Sequence, residues 1–227
     1  MKWSPLPEQV TLRMVTPTPK PMLLKSDQTA LVIVDMQNRF CKRDMESRAY
    51  NVIEGNVRLL EKARQAGVKV IFIQSTRLPD APEFTRYGRE PALIEDTWEW
   101  QIVDELEPLP GEIVVRKYSH DPFARTEIEA VLLREDIVPG ETTVIVTGVS
   151  AAVCAYQACL GFSNRHYLTL IPMDCQAAGT IEEEARAFNK YSENTFAFTL
   201  SNMIEFSPGG MDTRQLVGAG VTAGRPR

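Results

Sequence analysis

Three ionisable residues far apart in the chain each stand where an apolar run stops: Asp35 after ALVIV, Lys117 after EIVVR, and Cys154 after the run TVIVTGVSAAV. Together they suit attack on a carbonyl. A thiolate is the nucleophile, a carboxylate can take the thiol proton and later pass it to a departing amine, and an ammonium beside both lowers the thiol pKa. The stretch 143–165 reads as a strand, a tight turn at Gly148 and a helix with Cys154 in its first turn. The dipole and free N–H groups of a helix N-terminus would then favour the thiolate as well. Backbone N–H groups of the turn 148–153 are placed to meet a developing oxyanion. Each residue also has a plainer reading: a helical cysteine packs, a strand-end aspartate caps a turn, and a lysine is solvated. A shared rim is what would join them.

The elements that must build that rim are legible from the hydrophobic pattern. Strands are expected at 30–35, 68–74, 112–116, 144–146, 168–172 and 195–200. The unbroken apolar run ALVIVD reads as a strand buried on both faces. Helices are expected at 52–66, stopped by Gly67, after a T-x-x-E capping box at Thr126 and Glu129, at Cys154, and after a second box at Thr180 and Glu183. This alternation predicts an α/β fold with a six-stranded, mainly parallel sheet covered on both faces, and sites in such sheets lie outside the carboxyl ends of the strands. The polar excursion 75–106, with Arg77, Arg86, Tyr87, Trp98 and Trp100, is long enough to be a lid or binding loop. Five prolines make 1–28 an extended N-terminal arm, 29–207 reads as the catalytic domain, and glycines make 208–227 a flexible C-terminal tail.

Composition removes several function classes. The chain has 227 residues, a net charge of −5 and no basic run, so nucleic acid is not an expected partner. No stretch resembles a signal peptide or a membrane span, so a cytoplasmic protein with no membrane partner is expected. The four cysteines, Cys41, Cys154, Cys159 and Cys175, form no C-x-x-C pair and are expected to be reduced. No G-x-S-x-G surrounds Ser150, no histidine follows Asp174, and MQNRFCKRD stands where a dinucleotide fingerprint would follow the first strand. No cofactor is expected.

The motif order D-M-Q-N-R-F at 35–40, K-x-S-x-D-P-F at 117–123, V-T-G-V-S-A-A-V-C at 146–154 and D-C at Asp174 and Cys175 resembles the isochorismatase-like cysteine hydrolase superfamily over about 30–201. The resemblance implies a Rossmann-like three-layer α/β/α fold and an Asp-Lys-Cys triad carried onto Asp35, Lys117 and Cys154. It also implies a cis peptide at Val149-Ser150 and an oxyanion hole from the backbone N–H groups of Ser150 and Cys154. The metal-binding histidines of the nicotinamidase branch have no counterpart in STRLPDAPEF, so no metal is expected.

The cysteine favours C–N bond hydrolysis over the vinyl-ether hydrolysis of isochorismatases proper. The K-x-x-x-x-x-F segment and the run 98–106 resemble ureidoacrylate, biuret and carbamoylsarcosine hydrolases, which implies a small amide or ureido substrate. Phe40, Arg77, Trp98, His120 and Phe123 are the substrate-binding candidates; an arginine is the side chain best shaped for a substrate carboxylate. The alternatives are vinyl-ether hydrolysis without covalent catalysis, and a binding protein on the same fold. The family resemblance also implies a homo-oligomer, dimer or tetramer, in which the arm and tail could be exchanged.

Overall fold

The computed structural model describes residues 14–207. Among the described residues nine strands run in chain order: β1 Met22–Leu24, β2 Thr29–Val34, β3 Lys69–Ser75, β4 Ile113–Lys117, β5 Thr143–Val149, β6 Leu168–Pro172, β7 Gln176–Ala177, β8 Ala197–Thr199 and β9 Ile204–Phe206. The helices are α1 Asn38–Cys41, α2 Arg48–Asn51, α3 Ile53–Gln65, α4 Pro82–Thr85, α5 Ile128–Arg134, α6 Cys154–Ser163 and α7 Ile181–Ser192. The central sheet has the order β4-β3-β2-β5-β6-β8, with every pairing parallel and β7 joined to the end of β5. Chain direction across the sheet reverses between β2 and β5, and ligands of open α/β sheets bind at such a switch point.

Strand β2 shows why the sheet must be covered twice. All six of its residues are buried. Leu31 and Ile33 point to one core with Leu59, Leu60 and Ala63 of α3, whereas Ala30, Val32 and Val34 point to the other with Ile128 of α5, Ala158 of α6 and Phe188 of α7. The two-residue alternation of a strand thus supplies both cores.

Three details differ from the sequence reading. The central sheet has seven strands, because the two-residue β7 is too short to carry a hydrophobic period. Within the span read as an irregular arm, β1 forms directly after Pro21 and pairs in parallel with β9. The capping box forms at Thr180 and Glu183 but not at Thr126 and Glu129. There Glu127 takes the N-cap position, so Glu129 falls one place short of the residue a box needs and instead accepts from Arg165 at 2.7 Å. Residues 1–13 and 208–227, which carry most of the expected arm and the tail, lie outside the described residues.

Candidate active site

The carboxyl ends of β2, β4 and β5 bring the three chemistry-bearing side chains together. Asp35 follows β2, and Lys117 closes β4. The Lys117 ammonium lies 2.8 Å from Asp35 Oδ2 and donates to Cys154 Sγ at 3.4 Å. All three are buried, Lys117 at 0 %, Asp35 at 1 % and Cys154 at 8 % exposure. A lysine so enclosed is not a solvated one; it is held by partners.

Strand order explains how they reach each other. The edge strand β4 is separated from β2 by β3, and Ser75 at the end of β3 is in register with Lys117. The Lys117 side chain therefore crosses over Ser75, whose small side chain leaves room and supplies a hydroxyl. Lys117 Nζ donates to Ser75 Oγ at 2.7 Å, Ser75 Oγ donates to Asp35 Oδ2 at 3.0 Å, and Ser75 N–H donates to Asp35 Oδ1 at 3.0 Å. The Gln37 amide oxygen accepts from Ser75 N–H at 3.0 Å and its nitrogen donates to the C=O groups of Ser75 and Trp100. Ser75 and Gln37 were not singled out by the sequence reading. Their roles follow from strand register, which has no local signature.

Opposite this group, β5 delivers Cys154 through a close strand approach and a sharp turn. Gly148 pairs with Val34 and has φ +100°, and a Cβ there would lie 1.9 Å from the Val34 carbonyl oxygen. The Val149-Ser150 peptide is cis. The turn is pinned from behind: Ala151 N–H donates to the Ala177 C=O of β7 at 2.7 Å, and the Tyr191 hydroxyl donates to the Ala151 C=O at 2.8 Å. Its internal bonds come from the N–H groups of Val153 and Ala155, both to the Ser150 C=O, and from Ala152 N–H to Ser150 Oγ. Those of Ser150 and Cys154, the expected oxyanion donors, are not spent on these contacts.

The electrostatics of the thiol differ from expectation. Burial, followed by the Asp35 carboxylate, pushes the Cys154 thiol up to about 12, and Lys117 only partly opposes them. The sequence reading weighed the lysine and the helix N-terminus, both of which favour thiolate, but could not weigh desolvation. Burial and the neighbouring carboxylate thus favour the thiol form of Cys154 over the thiolate. Iodoacetamide at pH 7 should accordingly label Cys154 no faster than a free cysteine in a short peptide, with a rate that keeps rising beyond pH 9; a plateau below pH 8 would show a resting thiolate instead.

His120 stands at the rim, with Nδ1 3.4 Å from Cys154 Sγ. Its imidazole is held below its ordinary pKa, first by burial and then by Lys117 and Arg77, against a weaker pull from Asp35. It thus touches the Cys154 sulfur directly. Phe123 packs elsewhere: its ring lies edge-on to Phe162 with centroids 5.0 Å apart, Arg165 stacks over it at 3.8 Å, and it lies against Gly161, so it fixes α6. Phe40 packs on the α3-side core. Arg77 is paired with Glu83 at 2.7 Å, and Trp98 is 52 % exposed, its C=O accepting from Asn38. Asp174 turns away from the rim and accepts from Ser201 N–H and Oγ at 2.7 and 2.6 Å. Cys159 and Cys175 are fully buried, and all four cysteines are free. A cavity of about 260 Å³ behind the turn is lined by Ala151, Tyr156, Arg186 and Lys190 and by none of Asp35, Lys117 and Cys154.

The isochorismatase domain model matches residues 29–202, most of the chain. The chain belongs to the isochorismatase family. This isochorismatase-family chain is 27% identical over 214 residues to a ureidoacrylate amidohydrolase of Pseudomonas savastanoi pv. phaseolicola, covering 81% of the chain and 85% of that protein. It is 31% identical over 163 residues to the Agrobacterium fabrum ureidoacrylate amidohydrolase, covering 60% and 70%. Among solved structures, its fold is like that of an isochorismatase-like hydrolase from Alkaliphilus metalliredigens, with TM-score 0.69, 23% identity and coverage of 77% and 96%. N-carbamoylsarcosine amidase from Thermoplasma acidophilum shares the fold with TM-score 0.66, 23% identity and coverage of 77% and 97%. The family chain is thus a hydrolase of the α/β class expected, with amidohydrolases among its relatives. Among the described residues, no helix is long and apolar enough to cross a membrane.

Proposed function

We propose that the protein hydrolyses a C–N bond in a small amide or ureido substrate through a thioester on Cys154, with Asp35, Lys117 and Cys154 as the triad. The observation that carries this reading is a carboxylate, an ammonium and a thiol in mutual contact at a sheet switch point, the ammonium 2.8 Å from the acid and 3.4 Å from the sulfur. Substrate binding excludes water and brings a carbonyl to the sulfur, and Asp35 takes the thiol proton as the C–S bond forms. Lys117 keeps the resulting charge from being left unpaired. The developing oxyanion meets the N–H groups of Ser150 and Cys154. The carbonyl reforms, the C–N bond breaks, and the nitrogen leaves with the proton from Asp35. Water then cleaves the thioester. The resting thiol fits this sequence, because the proton that Asp35 must deliver to the leaving group is the one stored on sulfur.

The relatives' names support a ureido or carbamoyl substrate. The test is ammonia release from a panel containing ureidoacrylate, N-carbamoylsarcosine and simple amides, with acid-quenched samples examined by intact mass for an adduct mapping to Cys154. Ammonia release with that adduct is expected. Turnover undiminished in Cys154→Ala would overturn the mechanism.

A further inference from the structure

Asp35, the acid of the first half-reaction, is poorly placed for the second. It is 1 % exposed, its Oδ1 accepts from Ser75 N–H, and its Oδ2 holds both Ser75 Oγ and Lys117. It is more deeply buried than the sulfur, which is 8 % exposed, whereas the water that hydrolyses a thioester must come from solvent. His120 is exposed to solvent and in contact with Sγ through Nδ1.

The loop that carries this histidine is built rather than slack. Lys117 Nζ donates to the Ser119 C=O at 3.1 Å, Ser119 Oγ donates to the Asp121 C=O at 3.1 Å, and the Asp121 carboxylate accepts from Phe123 N–H at 2.9 Å. Phe123 is in turn anchored on α6, the helix that bears the nucleophile. Histidine and sulfur are thereby fixed to one body, as a catalytic contact requires.

We propose that His120 is the general base of thioester hydrolysis, so that the two half-reactions use different bases, one buried and one exposed, at one sulfur; this rests on Cys154 being the nucleophile. Water adds its oxygen to the thioester carbonyl carbon while one of its protons passes to Nδ1, and the carbonyl electron pair moves onto the oxygen held by the Ser150 and Cys154 N–H groups. On collapse the C–S bond breaks, the acid product leaves, and sulfur recovers the proton from the imidazolium. Thiol and neutral imidazole are both restored. The charged groups facing His120 are Lys117 on β4, Arg77 beyond β3, Arg89 beyond α4 and Asp35 beyond β2. Three cations against one carboxylate, together with partial burial, keep the ring neutral and able to accept a proton near pH 7.

p-Nitrophenyl acetate serves as the probe, because it acylates a reactive cysteine without requiring the natural substrate. Wild type, His120→Ala and His120→Gln are acetylated, desalted and followed by intact mass. All three are expected to take up a single acetyl group on Cys154, and both variants to lose it about 100-fold more slowly than wild type. Added imidazole should speed the loss from His120→Ala, and the descending acid limb of the wild-type deacylation rate should be missing from both variants. His120→Gln keeps the side-chain bulk, so a defect shared by both is chemical and not a packing loss. Deacylation at the wild-type rate in the two variants would overturn the role of His120 and leave the thioester reading intact. Absence of the adduct from wild-type Cys154, or its presence in Cys154→Ala, would overturn both.

Discussion

Replacing Lys117 by Met should abolish turnover and lower folding stability by about 3–5 kcal/mol, the range for removing one partner of a buried ion pair. The size follows from enclosure: neither Lys117 nor Asp35 reaches solvent, and their charges lie 2.8 Å apart. Without the ammonium, the carboxylate keeps its two bonds to Ser75 but has no counter-charge. Pairing Lys117→Met with Asp35→Asn should return most of the stability and none of the activity, since a neutral amide tolerates burial and cannot shuttle the proton. Cys154→Ala gives the complementary result, a small stability change with complete loss of turnover. Urea denaturation of the four proteins, read with ammonia release, checks the set. A Lys117→Met variant as stable as wild type would show that the pair is not truly sequestered.

The second large effect is expected from a single methyl group. Gly148→Ala should destabilise the fold by about 2–6 kcal/mol through backbone strain and overpacking together. The added Cβ would lie 1.9 Å from Val34 O and 2.7 Å from Val34 N, both main-chain atoms that cannot rotate away. Relief requires β5 to part from β2 where Asp35 begins, so the acid and sulfur separate and activity falls further than stability alone explains. Gly67→Ala is the control, since that glycine also has positive φ, +71°, but has nothing within 4 Å of a Cβ. Only the milder conformational strain should appear there. Equal losses at the two sites would refute the steric argument.

The sheet and the meeting of Asp35, Lys117 and Cys154 at its rim were legible because both rest on local pattern. Apolar runs mark strands, and the residue after each run must lie on the rim. What stayed hidden depends on register and depth. Ser75 acquires its role only because β3 lies between β2 and β4 in that alignment. The two residues of β7 are too few for a period, yet they hold the turn before Cys154 in place. Phe123 sits in a recognisable motif, but its partner is Gly161 on a distant helix. The thiol's environment was half legible for the same reason: a helix N-terminus and a lysine can be read from letters, whereas dehydration of the sulfur cannot.

The small pairing of β1 with β9 sets the true extent of the folding unit. Met22 and Leu24 are buried beside Ile204, each worth about 1.5–3 kcal/mol when covered. A polypeptide begun at the family boundary, residue 29, would leave that seam half-made and greasy. Evolutionary kinship therefore delimits a shorter span than thermodynamic cooperativity does, and trimming for expression should respect the latter.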